Sequence, residues 1–173
     1  MAQPQVAYRY KFILLGDRGA GKTAWLTKLT TGVYNKNTPA TISTSMTLVR
    51  RHMSSGQTVE IELWDTSGDR ETAGLDIGSW VGAHGALIFV DGTLPRRAQM
   101  ESFREWRRAF SYVCPGITGG VVTTKRDSKN YHRSSKLIGA YTVSSKRNSR
   151  VERPLLKLVN RRLGIRHETF IKE

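Results

Sequence analysis

Runs of branched and aromatic residues alternate along the chain with amphipathic stretches, and this alternation predicts the order of its elements. Strands are expected where such a run ends in a turn, at residues 8–15, 45–53, 58–64, 86–91, 119–124 and 137–143. Helices are expected where apolar residues recur every three or four positions, at residues 21–31, 97–113 and about 149–163. Strands that alternate with crossover helices predict an α/β fold, with a mostly parallel sheet and helices on both faces.

The length of the chain bounds its organisation. Its 173 residues suffice for one domain that buries a full core. The longest apolar runs, 12–15 and 86–90, are too short to span a bilayer, and the polar start of the chain argues against a secretory signal. Cys114 is the one cysteine, which excludes an internal disulfide framework and favours a reducing compartment. We therefore expect an intracellular, cytoplasmic protein, and a monomer.

The basic residues are unevenly distributed. The chain carries 28 Lys and Arg against 14 Asp and Glu, a formal net charge of +14. Residues 1–86 hold nine of the basic and seven of the acidic side chains, so most of the excess lies in residues 87–173. Two alternatives stay open: a basic face that binds acidic lipid or nucleic acid, and a solvated surface that is merely basic. The candidates for such a face recur along two predicted helices, at Arg104, Arg107, Arg108, Arg153, Lys157 and Arg161.

The strongest motif follows the first predicted strand. Residues 16–23 are Gly-Asp-Arg-Gly-Ala-Gly-Lys-Thr, which satisfies the G-x-x-x-x-G-K-[ST] pattern of a phosphate-binding loop between a strand and a helix. Glycines let successive N–H groups turn toward phosphate oxygens, and the helix N-terminus adds positive potential. Lys22 supplies a cation, and the Thr23 hydroxyl suits Mg²⁺. The sequence therefore predicts a nucleotide phosphate site here.

Further segments narrow the class of protein. Residues 63–68, Leu-Trp-Asp-Thr-Ser-Gly, end a strand with a carboxylate and place a glycine three residues later. Residues 124–127, Thr-Lys-Arg-Asp, follow another strand and end on a carboxylate that can accept from two donors of a purine edge. With Thr41-Ile42 and the Ser144-Ser145-Lys146 triplet, these motifs resemble the Ras superfamily of small GTPases, and within it the Rab-like branch. The resemblance covers about residues 8–163.

The resemblance implies a small G domain at residues 8–164, between a short extension (1–7) and a short tail (165–173). It implies a six-stranded sheet with one antiparallel strand, and GTP or GDP bound together with Mg²⁺. Thr23 and Thr41 would ligate the metal, and Asp65 would reach it through water. Lys22 and the Gly68 N–H would meet the phosphates, so that loops at about 34–45 and 65–77 respond to loss of the γ-phosphate.

Other residues are implied to hold the rest of the nucleotide. Those expected around the phosphates are the remaining loop residues Arg18, Gly19, Ala20, Gly21 and Ala24. Asp127 would accept from the guanine ring, Lys125 would lie along the base, and Tyr34 would pack against it. The contacts expected to complete the base site come from Thr124, Ser144, Ser145 and Lys146, with the Ser145 backbone meeting the guanine O6.

Two residues depart from the family pattern at the reacting phosphate. Asp69 stands where family members carry the glutamine that orients the attacking water, and Arg18 stands where a small residue leaves room for it. The implied catalytic residues are Lys22, Thr41, Gly68 and Asp69, and with these two changes we expect slow GTP hydrolysis. Arg18 and Asp69 either pair when GTP is bound or remain independent solvated side chains, and both alternatives stay open.

Departures elsewhere affect affinity and anchoring. Thr124 replaces an asparagine of the family, and we expect its hydroxyl to make fewer bonds between the base loop and the phosphate loop. Residues 132–136 have no apolar stripe, so a loop is expected where the family has a helix. No cysteine follows the last predicted helix, and Met1-Ala2 excludes myristoylation, so we expect no lipid anchor and only peripheral, partner-dependent membrane contact.

The expected function is a Rab-like GTPase switch in membrane trafficking or signalling, which binds effectors and exchange factors through its two loops. The alternative is a non-hydrolysing, GTP-bound or nucleotide-free interaction module that sequesters those partners, and the combination of Arg18 with Asp69 favours it. A third hypothesis, motivated by the basic half of the chain, is a nucleic-acid-binding protein built on the same fold.

Overall fold

Six strands form a single sheet in the computed structural model, which describes residues 6–69, 77–132, 137, 140–165 and 167–171. In chain order the strands are β1 (Val6–Leu15), β2 (Ser45–His52), β3 (Thr58–Asp65), β4 (Gly85–Asp91), β5 (Gly119–Thr124) and β6 (Tyr141–Thr142). Their spatial order is β2-β3-β1-β4-β5-β6. β2 pairs with β3 antiparallel, and every other neighbouring pair is parallel. The predicted mostly parallel sheet with one antiparallel strand is confirmed.

In the described part of the chain, helices follow the strands β1, β4 and β6. They are α1 (Lys22–Thr31), α2 (Arg96–Val113) and α3 (Arg153–Leu163), with a short 3-10 turn at Ile77–Trp80. α1 and α3 end at glycines with positive φ, Gly32 (71°) and Gly164 (70°), whose N–H groups bond back to helix carbonyls. None of the helices in the described part of the chain is long and apolar enough to cross a membrane.

Both faces of the sheet are covered, which is why its central strand β1 is apolar at every position from Phe12 to Leu15. Phe12 and Leu14 belong to one core cluster with the helices α1 and α3, which contribute Trp25, Leu26, Leu29, Leu155, Leu158 and Val159. Ile13 and Leu15 point to the opposite cluster, which α2 and the 3-10 turn complete with Trp80, Trp106 and Phe110. The predicted arrangement of helices on both faces is therefore confirmed.

Two element boundaries differ from the sequence prediction. The last strand, predicted at 137–143, is Tyr141–Thr142 in the described residues, and just before it the Ala140 N–H bonds to the Leu137 carbonyl instead of to a neighbouring strand. The last helix begins at Arg153 instead of about residue 149. Ser149 pairs with Ser144 in a backbone bridge, and this pairing delays the helix.

Some predictions concern segments outside the described residues. These are most of the loop predicted at 132–136, residues 138–139 of the last predicted strand, and residues 70–76 of the second predicted switch loop. The same holds for residues 1–5 of the predicted N-terminal extension and for 166, 172 and 173 of the predicted tail.

The segment at 167–171 folds back onto the hairpin between β2 and β3. Phe170 bridges Met53 in antiparallel fashion, and the Ile171 N–H donates to the His52 carbonyl at 2.8 Å. The Glu168 carboxylate accepts from the Ser54 hydroxyl at 2.7 Å. This part of the chain thus extends the pairing of the edge strand β2 beyond its own hairpin.

Candidate functional site

A cleft of about 800 Å³ opens where β1 ends and α1 begins. Parallel strands end together at this edge of the sheet, the usual position of a ligand site in an α/β fold. The residues that line the cleft are Arg18, Gly19, Gly21, Lys22, Thr23, Ala24, Tyr34, Asn35, Lys36, Thr38, Pro39, Ala40, Thr41, Ile42, Ser67, Gly68, Asp69 and Lys125. Most of the residues predicted from the phosphate-binding motif and from the two loops therefore share one cavity.

The loop at 16–21 is held against the sheet by its first glycine. Gly16 has φ 139°, and a Cβ at this position would lie 2.3 Å from the Phe89 carbonyl oxygen. Gly19 and Gly21 also have positive φ, at 77° and 91°. With no acidic residue in its first turn and no side-chain cap, α1 leaves its first amides free of carboxylate competition. The N-terminus of α1 thus presents positive potential to the cleft, as an anion site requires.

Lys22 is buried at the base of the cleft, with 5% of its surface exposed. Its Nζ donates to the Gly16 carbonyl at 2.7 Å and lies 3.4 Å from the Asp17 carbonyl oxygen. Burial lowers the pKa of Lys22, and the negative charges of Asp65 and Asp17 work against that change. Backbone carbonyls therefore hold this cation where the loop amides converge.

Three oxygen-bearing side chains meet beside Lys22. The Thr23 hydroxyl donates to Asp65 Oδ2 at 2.6 Å and lies 2.6 Å from the Thr41 hydroxyl. Thr41 Oγ1 lies 3.5 Å from the same carboxylate oxygen. Burial raises the pKa of Asp65, although the hydroxyls and Lys22 oppose the shift. Asp65 Oδ1 is buried and has no hydrogen-bond partner among the described residues, so it leaves one hard oxygen available to a cation such as Mg²⁺.

The Gly68 loop touches the phosphate loop directly. The Arg18 N–H donates to the Gly68 carbonyl at 2.9 Å, and a Cβ on Gly68 would lie 2.4 Å from the Arg18 nitrogen. Asp69 follows at once, with its N–H bonded to the Ser67 hydroxyl at 3.2 Å. Arg18 and Asp69 are both exposed and both line the cleft. The two departures from the family pattern therefore face the same space.

Thr124 ties the end of β5 to the phosphate loop. Its hydroxyl lies 2.8 Å from the Ala20 carbonyl and 3.3 Å from the Val90 carbonyl. The sequence predicts fewer bonds here than an asparagine would make, and a hydroxyl has a single proton to donate. The link to the phosphate loop is nevertheless present through the closer of the two carbonyls.

The predicted base-reading residues are grouped, although they lie beyond the lining of the cleft. The Ser144 hydroxyl donates to Asp127 Oδ1 at 2.5 Å and also accepts from the Arg147 N–H at 3.0 Å. Of the predicted base-reading residues, Lys125 lines the cleft. The described lining does not include Asp127, Ser144, Ser145 or Lys146. Asp127 is half-buried. One of its carboxylate oxygens is thus engaged by the neighbouring loop.

Two contacts of the site are not predicted by the sequence. Lys125 Nζ donates to Asp91 Oδ2 at 2.6 Å; burial acts to raise the pKa of Asp91, but the bonds from Lys125 and Thr93 outweigh it and lower the value. The Trp106 indole N–H donates to the Asp17 carboxylate at 2.9 Å and so fixes the phosphate loop to α2. For the first contact, the only sequence signal is that Asp91 stands at the end of a predicted strand. For the second, it is that the polar N–H of Trp106 lies on the apolar stripe of a predicted helix.

A glycine-rich loop before a helix, a buried lysine and a cluster of hydroxyls around a carboxylate define a phosphate-binding α/β site of the P-loop class. A model of the Ras family matches residues 11–161. This match covers most of the chain, so the chain belongs to the Ras family, whose members are small GTPases that bind GTP and GDP. The resemblance found in the sequence is confirmed at this level, and the protein is a GTP-binding small GTPase.

Proposed function

We propose that this chain is a Rab-like molecular switch that binds GTP or GDP with Mg²⁺, hydrolyses GTP slowly and binds partner proteins through the loops at about 34–45 and 65–77. The single observation that carries this proposal is the convergence of Thr23, Thr41 and Asp65. Thr41 lies 18 residues from Thr23 in the chain. Because its hydroxyl contacts Thr23, the loop at about 34–45 is linked to the nucleotide site.

The phosphates would be held by the amides at the N-terminus of α1 and by Lys22. Lys22 Nζ now bonds backbone carbonyls, and a short side-chain rotation would let it pair with phosphate oxygens while it stays buried. Thr23, Thr41 and Asp65 would hold Mg²⁺, which supplies charge neutralisation between the phosphates when it is bound. The unpartnered Asp65 Oδ1 in the described part of the chain supports this assignment.

Slow hydrolysis is supported by two side chains in the cleft. Asp69 offers a short carboxylate where an amide would orient the attacking water, and its charge repels the γ-phosphate. Arg18 adds bulk next to the contact between Gly68 and the phosphate loop. Lys22, Thr41 and Gly68 remain suited to binding the triphosphate, so the expected consequence is a long-lived GTP-bound state.

Partner binding is supported by exposed apolar side chains next to the first loop. Ile42 is 82% exposed, Met46 50% and Leu48 47%. Apolar side chains grouped on a surface are typical of protein interaction sites. We propose that effector and exchange-factor proteins dock here, and that a role in trafficking or signalling follows from them. Contact with membranes would then come through those partners.

The nucleotide carried by the purified protein tests this proposal. We expect GTP to be recovered after denaturation, because turnover is slow; recovery of GDP would point to efficient hydrolysis. Titration calorimetry of stripped protein with GTP and GDP in the presence of Mg²⁺ should show binding, and Lys22→Ala should abolish it. If wild-type protein carries no nucleotide and binds neither, the proposal fails and a nucleotide-free interaction module is favoured. Arg18 and Asp69 are the features that favour this second candidate.

A further inference from the structure

A second cleft, of about 530 Å³, lies at the other end of α1. The C-terminal turn of α1, the outer end of β2, the turn before α3 and residue 171 surround it. Its lining residues are Lys28, Leu29, Gly32, Arg50, Arg51, His52, Asn148, Arg150, Val151, Glu152, Arg153 and Ile171. None of these described residues lines the nucleotide cleft. The ten residues of α1 separate the two clefts by about 15 Å of helix.

The charge of this cleft is strongly positive. Five Lys and Arg side chains line it, against one carboxylate among the described lining residues, that of Glu152. These cations come from three separate parts of the chain, α1, β2 and the segment that leads into α3. Folding therefore gathers like charges that repel one another, an arrangement that costs free energy unless an anion compensates it.

The carboxylate in the cleft satisfies only part of this charge. Arg51 Nε lies 3.9 Å from Glu152 Oε1, a loose ion pair, while its Nη1 donates to the Arg50 carbonyl at 2.9 Å and its Nη2 to the Leu29 carbonyl at 3.2 Å, which leaves one N–H on each of these two nitrogens. The side chain of Arg153 is exposed, and no hydrogen bond or ion pair joins it to the other described residues. Both arginines therefore keep N–H groups that an anion can use.

The neighbouring carboxylate of Glu60 on β3 neutralises little of the positive charge around the cleft. Arg50 pairs with Glu60 at 2.9 Å, but Glu60 also pairs with Arg9 of β1 at 2.6 Å. One negative charge is thus shared between two arginines. The excess of positive charge around the cleft remains after this pair is counted.

The shape and chemistry of the cleft suit a small phosphorylated molecule. A volume of this size lies within the range of small-molecule sites, about 300 to 1,000 Å³. Arginines bind phosphate through paired N–H groups, and here they approach from β2 and from the start of α3. Leu29, Val151 and Ile171 add apolar surface to the lining of the cleft, which a sugar or cyclitol ring could cover.

We propose that this basic cleft binds a small ligand that carries several phosphate groups, either a free polyphosphorylated molecule or the headgroup of a phosphorylated lipid. Arg51 of β2 and Arg153 of α3 bind the phosphates, and Lys28 and Arg150 add positive charge to the cleft. The site is separate from the nucleotide cleft, so it should work with either guanine nucleotide bound. Of the basic residues that the sequence singles out, only Arg153 contributes to the described lining of this cleft.

Titration of the GDP-loaded, Mg²⁺-saturated protein with inositol hexakisphosphate tests the proposal, because the nucleotide cleft is then already filled. One molecule should bind per chain. The double variant Arg51→Gln/Arg153→Gln should weaken binding about a hundredfold, since it removes two charge-assisted contacts. A second variant, Lys28→Gln/Arg153→Gln, leaves the bond of Arg51 to Leu29 intact and serves if the first does not fold. The matched control, Arg104→Gln/Arg108→Gln on the exposed side of α2, removes the same charge and should weaken binding about twofold at most.

Vesicles distinguish the two sources of the ligand. Phosphatidylcholine vesicles that contain phosphatidylinositol bisphosphate should retain the wild-type protein if the ligand is a lipid headgroup, and inositol hexakisphosphate should release it. Binding of inositol hexakisphosphate without vesicle binding assigns a free ligand. The proposal is overturned if neither probe binds. It is also overturned if phosphatidylserine vesicles of equal charge bind as well, or if the control variant loses as much affinity as the cleft variants.

Discussion

Gly68 is the residue at which the two loops of the nucleotide cleft touch. Its carbonyl accepts from the Arg18 N–H, and a Cβ would lie 2.4 Å from that nitrogen. We expect Gly68→Ala to push the loops apart and to lower the free energy of unfolding by about 1 kcal/mol, the worth of one hydrogen bond. Amide hydrogen exchange at Arg18 should become faster, and mass spectrometry of the exchanged protein measures it.

Gly78→Ala is the matched control for this change. Among the described residues, no atom lies within 4 Å of the position that a Cβ on Gly78 would take, so none of them has to move for the added methyl group. Exchange at Arg18 should be unchanged in this variant. Equal exchange rates in Gly68→Ala and wild type would show that the contact between the loops does not restrain the amide.

The proposal that Arg18 and Asp69 slow GTP hydrolysis can be tested by substituting each residue. We expect Asp69→Gln and Arg18→Gly each to accelerate single-turnover hydrolysis about tenfold. Asp69→Gln supplies an amide that can orient the attacking water, and Arg18→Gly makes room for that water. Both side chains line one cleft, so the double variant should deviate from the product of the single effects by about twofold or more. Effects that multiply without deviation would mean that the two residues act independently.

Local spacing makes part of the site predictable, residue by residue. Lys22 and Thr23 follow from the motif, because the phosphate loop is built from consecutive residues. The bond of Thr124 to Ala20 spans 104 positions and that of Lys125 to Asp91 spans 34. Such partners depend on how strands are ordered in the sheet, which no local pattern encodes. The sequence predicts Thr124 and Lys125 at the site and a link from Thr124 to the phosphate loop, but neither the Ala20 carbonyl nor the Asp91 carboxylate as the group contacted.

Among the elements, β3 is joined to both of its neighbours by one buried carboxylate. Glu60 is 1% exposed and lies opposite Arg9 of β1 and Arg50 of β2 in the register of the sheet. Both arginines pair with it, at 2.6 and 2.9 Å. The Arg50 hydrogen bond is the main cause that lowers the pKa of Glu60; burial opposes it, and Arg9 adds to it. Three strands therefore depend on one ionised group.

A lowered pKa has a definite effect on stability. The folded protein favours the ionised form of Glu60, so this contribution is complete above the unfolded pKa of about 4.3 and is lost as the pH falls through the lower folded value. We expect Glu60→Gln to be less stable than wild type near neutral pH, and the difference to shrink below about pH 4. Urea unfolding across this pH range measures it.

Glu62→Gln is the control on the same strand, because Glu62 accepts from the Trp64 indole at 3.2 Å instead of from an arginine. Its unfolding profile should follow that of wild type more closely. A difference between Glu60→Gln and wild type that stays constant at every pH would contradict the role given to the two arginines.

Strong periodicity makes the long elements predictable from the sequence. The bounds of short elements, and of elements that begin next to a turn, are not predicted in the same way. β1 and β4 are buried on both faces over much of their length and appear as continuous apolar runs. α2 has a clear apolar stripe, which its packing on β4 explains. β6 has only two described residues, and the Ala140 N–H just before it bonds to the Leu137 carbonyl instead of to a neighbouring strand. The late start of α3 results from the pairing of Ser144 with Ser149, a contact without a sequence signal.

At the scale of the whole molecule, nucleotide binding should stabilise the fold. The cleft gathers residues from α1 and from the segments that follow β1, β3 and β5, so a ligand there joins parts that are distant in the chain. We expect GDP at a hundred times its dissociation constant to raise the free energy of unfolding by about 2.7 kcal/mol. Thermal unfolding with and without GDP measures the effect. ADP at the same concentration is the control, and equal stabilisation by both nucleotides would contradict guanine selection by Asp127.

Trp64 occupies the position next to Asp65, at the point where β3 leads into the second loop. It is partly exposed, and Lys11 Nζ lies 4.4 Å from the centre of its ring. The other three tryptophans, Trp25, Trp80 and Trp106, are at most 3% exposed. Indole fluorescence varies with the polarity around the ring, so a change in emission during nucleotide exchange would originate mainly at Trp64 and at Trp106, whose indole N–H bonds Asp17 of the phosphate loop. The molecule thus carries its own optical reporter, and exchange can be followed in real time without a dye.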